Sequence, residues 1–235
     1  FSDASGFTFV IVGSVQPDTL RPLVERWVAS LPSTHRRESW RDVGVKPPPG
    51  VVTTVVKRGV EQKSQSVLIF HGPFEFSAPN RYLLASLVEV LQLRLQETLR
   101  ESLGGTYDVE VGGSGERDPR QEYQISVQFG SSPARVDELV KAVMAQIDSL
   151  KRTGPTPREL SKVREQQIRS RETGLKENVF WLASIENYDR YGWKLSDILG
   201  LDERLKLLTS DRIRDAARRY LDHTSYVRGS LLPEK

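Results

Sequence analysis

Between Ser66 and Phe129 the chain changes hydrophobic period repeatedly, and that alternation restricts its fold more than any other feature. Ser66 to Phe70 is an almost wholly apolar run, of the kind buried on both faces of a sheet. From about Pro79 to Ser102, Leu84, Leu87, Val88, Leu91, Leu95 and Leu99 recur at helical spacing, and Gly104-Gly105 stops the helix. From Glu122 to Phe129, Tyr123, Ile125, Val127 and Phe129 alternate with Gln124, Ser126 and Gln128, which gives one apolar and one wet face. Strands and helices that are apolar on one side must bury that side against each other, so two packed layers follow.

The flanking segments extend the pattern. Val51 to Val56 reads as a strand, and Thr106 to Val111 as another, joined to the 122–129 strand by a short loop in which Gly112, Gly113, Gly115 and Pro119 act as turn formers. So short a connection makes that pair antiparallel. A helix from about Pro133 to Lys151 sets Val136, Leu139, Val140, Val143, Ile147 and Leu150 on one stripe. Thr156-Pro157-Arg158-Glu159 is a capping box with proline at the first helical position. Helical pieces interrupted near Gly174, Gly192 and Gly200 lead to Tyr220, and Ser225 to Leu232 closes as a strand. The order predicts an α+β fold, a two-layer sandwich with a mostly antiparallel sheet and helices on one face.

Ahead of this stands a separate strand–helix pair. Phe7 to Val12 is dense in β-formers, Gly13 closes it, and Pro17 opens a helix with Leu20, Leu23, Val24, Trp27 and Val28 on one face. The polar stretch after Pro32 ends in Pro47-Pro48-Pro49, which favours an extended linker. The expected division is therefore residues 1–31 as the terminal strand–helix of a preceding unit, 32–50 as a proline-rich linker, and 51–235 as the main α/β domain. A start on such a strand suggests a fragment.

Composition narrows the function. Lys and Arg number 34 against 31 Asp and Glu among 235 residues, so no basic block supports nucleic-acid binding, although the pI is near 9.1. No apolar run is long enough for a membrane span. Cys is absent, which removes disulfides and thiolate chemistry but does not fix the compartment; bacterial periplasm or cytoplasm both fit, and the periplasm is slightly favoured. The three His residues, His35, His71 and His223, are isolated, and neither H-E-x-x-H nor H-x-x-E-H occurs. No G-x-S-x-G elbow exists. The arginines of 164–171 and 212–219 are interleaved with acids and read as solvated helix faces. Trp181, Tyr188, Tyr191 and Trp193 suit helix packing better than a ligand groove.

One pair carries possible chemistry. Arg100 ends the long helix and Tyr107 begins the next strand, across Leu103-Gly104-Gly105. Such a reversal can bring a guanidinium and a phenol to one edge of a domain, where both can donate to a carbonyl or a developing oxyanion. A surface Arg beside a half-buried Tyr is the alternative that spacing leaves open.

Phe7-Thr8-Phe9-Val10-Ile11-Val12-Gly13, with the helix ending Trp27-Val28-Ala29-Ser30-Leu31-Pro32, resembles a segment of the pitrilysin/insulysin-type zinc metallopeptidases. Leu99-Arg100-Glu101-Ser102-Leu103-Gly104-Gly105-Thr106-Tyr107 resembles another, as do Pro155 to Leu160 and Tyr226 to Glu234, all in the family's order. The resemblance implies two homologous halves closing around a peptide, with zinc held in the first half by H-x-x-E-H. This chain would be the C-terminal part of the second half, with no cofactor of its own and the zinc in the N-terminal half. Tyr107 would hydrogen-bond the scissile carbonyl and Arg100 would bind peptide backbone. The implied partners are a peptide substrate and the zinc-bearing half or a partner subunit, and the N-terminal strand offers a route to homo-oligomers. The full parent would be a zinc metalloendopeptidase and this fragment alone inactive. The alternative is a catalytically inactive binding or structural subunit of the same superfamily.

Overall fold

The computed structural model describes residues 2–37, 39–102, 106 and 108–234, with the backbone alone at 100–102. Five strands, β1 (Val51–Lys57), β2 (Ser64–Pro73), β3 (Val109–Glu116), β4 (Glu122–Ser131) and β5 (Tyr226–Leu232), form one sheet in the order β1-β5-β2-β4-β3. β5 runs parallel to β1 and antiparallel to β2, and the β2–β4 and β4–β3 pairs are antiparallel. The helices are α1 (Pro17–Trp27), α2 (Ala78–Leu95), α3 (Val136–Thr153), α4 (Pro157–Gly174), α5 (Asn178–Tyr191), α6 (Leu201–Leu205) and α7 (Ser210–Tyr220). The segment order thus delivers the α+β, mostly antiparallel architecture that the periodicities predict.

Alternation along the strands sorts the two faces. Leu68 and Phe70 of β2 lie level with Val127 and Ile125 of β4, and all four are fully buried. Against them lie Leu84, Leu87, Leu91 and Leu95 of α2, the complete stripe Val136, Leu139, Val140, Val143, Ile147 and Leu150 of α3, and Ile213 and Ala217 of α7. Each fully buried Leu, Ile or Val contributes about 1.5–3 kcal/mol of transfer free energy, so packing and not intrinsic propensity holds these helices. Local signals set their starts. Ser77 Oγ accepts from the Asn80 N–H at 3.3 Å ahead of α2, and Thr209 Oγ1 accepts from the Arg212 N–H at 3.3 Å ahead of α7.

Two expectations fail locally. Gly112, Gly113 and Gly115 lie inside β3 and not in a turn. A Cβ at Gly113 would stand 2.9 Å from Val88 Cγ2, and one at Gly115 only 2.3 Å from the Phe74 ring. These glycines are there because neighbouring side chains fill the space above the strand. Phe7 to Val12, in turn, forms no strand ladder. β-propensity needs a hydrogen-bonding partner to become a sheet, and no described segment pairs with this one.

The chain divides into two units, Phe1–Arg41 with Gln167–Leu201, and Asp42–Gln166 with Asp202–Lys235. The second holds the whole sheet. In the first, α1 buries no residue, and Phe7, Phe9, Ile11, Leu23 and Trp27 are exposed. Gly6, Thr8 and Val10 line a cavity of about 440 Å³ with Leu182 and Glu186 of α5.

Candidate functional site

The side chain of Arg100 and the whole of Tyr107 lie outside the described residues, so the site is read from what brackets them. Arg100 belongs by its backbone to a π-helical stretch, Gln96–Ser102, that continues α2 without a break. Such wide turns are rare and occur frequently at functional sites. Leu99, with no exposed surface, anchors this stretch in the core.

After residues 103–105 the chain is held by specific bonds. Gln92 of α2 donates through Nε2 to the Val109 carbonyl at 2.9 Å, and its Oε1 accepts from the Val111 N–H at 2.7 Å. One side-chain amide thereby takes the place of a neighbouring strand on the outer edge of β3. Thr106 is buried, its Oγ1 donates to the Asp108 carbonyl, and the Asp108 N–H donates back to Oγ1 at 3.2 Å. The backbone is therefore fixed on both sides of position 107.

A second tie secures the same helix. Arg94 donates from Nε to Glu159 Oε1 and from Nη2 to Glu159 Oε2, both at 2.7 Å, and from Nη2 to the Gly154 carbonyl at 3.3 Å. Glu159 also accepts from the Thr156 N–H at 2.7 Å while its own N–H donates to Thr156 Oγ1 at 3.2 Å, which completes the capping box at the start of α4. Arg94 Nη1 is buried without a partner. Burial pushes the Glu159 carboxyl up, but its bonds from Arg94 and Thr156 outweigh this and hold it below its ordinary value.

The sheet face opposite the core helices carries Gln65, Val67, Ile69 and His71 of β2 level with Gly130, Gln128, Ser126 and Gln124 of β4. Two of the cavities of the sheet unit are lined in part by residues of this face. One, of about 490 Å³, is bordered by Gln62, Lys63, Ser64, Gln65, Asp108, Gly130, Ser131 and Ser132. The other, of about 290 Å³, is lined by His71, Ser114, Glu116, Arg120 and Pro47 among others. Arg120 fastens the proline-rich segment to the β3–β4 hairpin, donating from Nη1 to both Asp42 oxygens at 2.8 and 2.9 Å and from Nε to Glu122 at 2.7 Å. The Gly44 N–H and the Arg120 guanidinium hold the Asp42 carboxyl below its ordinary value.

The other sequence candidates have visible roles. Among the described residues no group of three or more His, Cys, Asp or Glu side chains could hold a metal ion. His71 sits in β2 with Nε2 buried and unpartnered, and His223 Nδ1 stands 3.5 Å from Asp148. Arg214 pairs with Asp211 at 2.8 Å, and Arg218 donates to the Lys151 carbonyl at 2.8 Å. Trp193 packs against Tyr188 and Tyr191 with ring centroids 5.4 and 5.1 Å away. No described helix is long and apolar enough to cross a membrane.

Gln92 and Arg94 were not legible as functional candidates. A Gln inside an apolar helix stripe and an Arg 65 positions from its acid give no local signal. The hint they offer is that Gln92 and Arg94 fall among the apolar residues of the last turns of α2.

Comparison with known proteins supplies the rest. Residues 2–167 match the family model described as the peptidase M16 inactive domain. A relative named zinc protease PQQL-like, from Arabidopsis thaliana, is 25% identical over 200 residues, covering 79% of this chain but only 21% of that protein. The crystal structure of the periplasmic protease PqqL from Escherichia coli superposes with a TM-score of 0.77 at 21% identity, over 94% of this chain and 25% of that one. The first half of the same protease also superposes, with a TM-score of 0.72 at 12% identity, over 94% of this chain and 50% of that one. These likenesses show the fold, and the fold recurs in both structures.

Proposed function

We propose, on the premise that the chain belongs to the peptidase M16 inactive-domain family, that it is the non-metal part of a zinc-dependent peptidase and supplies groups that hold the peptide. Tyr107 donates its hydroxyl to the scissile carbonyl as that oxygen gains charge, and Arg100 donates to peptide backbone. The observation that carries this reading is the pair of built stems around these two positions: a π-helical turn on one side and a β-edge held by the Gln92 amide on the other. A surface Arg and an incidental Tyr need no such construction. The chain spans about a fifth of the PQQL-like relative, so the hydrolytic centre and its zinc are assigned to the parent's other half, whose closure brings them to this edge.

Residues 1–31 form the end of the preceding unit, and the segment Phe7 to Val12, which forms no ladder here, completes that unit's sheet. Pairing with a second copy is the alternative occupant of the same edge. The periplasmic assignment of the PqqL neighbour supports the same compartment here.

The test is Tyr107→Phe in the full-length parent. A hydroxyl that acts mainly in the transition state should cost about 10²–10³ in kcat, with KM little changed. An unchanged kcat rejects the role, and a parent that binds peptides without cutting them supports the inactive binding subunit.

A further inference from the structure

β1 ends the sheet, and no strand among the described residues pairs with its outer edge. Its register with β5 runs without a bulge from Val51 opposite Tyr226 to Lys57 opposite Leu232. At the two ends of the pair the Tyr226 N–H donates to the Gly50 carbonyl at 3.1 Å and the Arg58 N–H donates to the Leu232 carbonyl at 2.8 Å. Even-numbered residues therefore face β5, because alternate residues of a parallel pair bond to the same neighbour. Val51, Thr53, Val55 and Lys57 turn their N–H and carbonyl groups outward, and all four residues are exposed.

Free edges are normally blunted by charge, proline or a bulge. Val51-Val52-Thr53-Thr54-Val55-Val56 has none of these, and Val51, Val55 and Val56 keep 50, 51 and 50% of their surface exposed. The pattern of these six residues also names the occupant. Side chains alternate across a strand, so Val51, Thr53 and Val55 share one face and Val52, Thr54 and Val56 the other. Each face reads Val-Thr-Val in both directions. A two-fold axis perpendicular to the sheet at Thr54 sets two copies of β1 antiparallel, with Val52 opposite Val56, Thr54 opposite Thr54 and Thr53 opposite Val55. Such β-branched and Thr–Thr pairs stabilise antiparallel ribbons. Lys57 then lies opposite Val51, so the two ammonium groups stand at opposite ends of the ribbon and no like charges meet. All four outward residues of each copy are bonded in this register, against three when the axis passes through Thr53.

We propose that β1 docks on β1 of a second copy of this chain, joining two five-stranded sheets into one continuous sheet across a two-fold axis. Any extended segment could meet the outward backbone groups, whereas the second copy also supplies Val on Val, Thr on Thr and lysines held apart. One strand edge is a small interface, so the association is concentration-dependent. The proposal is independent of the roles given to Arg100 and Tyr107.

The experiment is sedimentation velocity of the full-length parent across the micromolar range, paired with hydrogen exchange. The sedimentation coefficient should rise from monomer to dimer with concentration. The Thr53 and Val55 N–H groups should be protected in the dimer and exchange on dilution, whereas those of Val52 and Thr54, bonded to β5, should stay protected throughout. Thr54→Lys sets two ammonium groups face to face on the axis while leaving every β1–β5 bond in place, and should weaken self-association at least about tenfold. Thr54→Glu should do the same, and an equimolar mixture of the two variants should recover the dimer as a Lys–Glu heterodimer. A parent that stays monomeric, a dimer that Thr54→Lys leaves intact, or variants that fail to associate when mixed overturns the proposal. Thr53 and Val55 protected equally at every concentration would show that another part of the parent already fills this edge, and that result overturns it too.

Discussion

Replacing Arg94 by methionine should be among the most damaging single changes in the sheet unit that leave its apolar core intact. Arg94 and Glu159 side chains are 9% and 11% exposed and meet through two 2.7 Å bonds. Methionine fills most of the volume but leaves the Glu159 carboxylate facing an apolar neighbour, with only Thr156 still donating to it. Stripping one partner from a buried pair costs about 3–5 kcal/mol. With a urea slope of about 2 kcal/mol per molar, the midpoint should fall by roughly 2 M. Arg94→Met with Glu159→Leu should recover most of the loss, retaining a deficit of about 1 kcal/mol because the Thr156 N–H loses its acceptor. Far-UV circular dichroism is the right probe, since the four Trp residues, 27, 40, 181 and 193, lie outside the sheet unit. The pair also predicts an acid slope. Glu159 is held below its ordinary 4.5, so its contribution is complete above about that pH and is lost as pH falls through the lower folded value. The double variant should lack that slope. If Arg94→Met unfolds within 1 kcal/mol of the natural chain at pH 7, the pair is not the tie described here.

Two further changes probe the edge that presents the site. Gly115→Ala, whose Cβ would meet the Phe74 ring at 2.3 Å, should cost about 1–3 kcal/mol in urea unfolding, while Gly112→Ala, with its nearest neighbour Ser126 Oγ at 3.4 Å, should cost less than about 1 kcal/mol. Equal effects would refute the packing account of these glycines. Gln92→Met should accelerate hydrogen exchange at the Val111 N–H and lower kcat of the parent more than it raises KM; unaltered exchange would show that the amide does not hold β3.

The fold was legible wherever a residue's partner class could be inferred from its own periodicity. The α3 stripe, the 122–129 alternation and the Thr156–Glu159 box all encode their environment within a few positions, and each forms as read. What escaped depends on residues distant in sequence. Gly113 and Gly115 carry the composition of a turn, and only Val88 and Phe74, placed by other elements, make them strand residues. Phe7 to Val12 has strand composition but forms no ladder with the described strands. For the site, spacing left Arg100 and Tyr107 open and only the family resemblance gave them weight, whereas Gln92 acquires meaning only once α2 lies along β3.

The sheet order carries a consequence for how the molecule is made. β1 pairs with β5 alone, and β5 also supplies the second neighbour of β2, so Val51 waits for Tyr226. At roughly 5–20 residues per second of synthesis, the interval is on the order of 10–30 s. Throughout it, β2, β4 and β3 can zip together, but β1 is left as a valine-rich ribbon with both edges unsatisfied. The last-made strand is thus the keystone of the sheet. Nascent chains stalled before Tyr226 should be the species that chaperones capture, with β1 as the exposed handle.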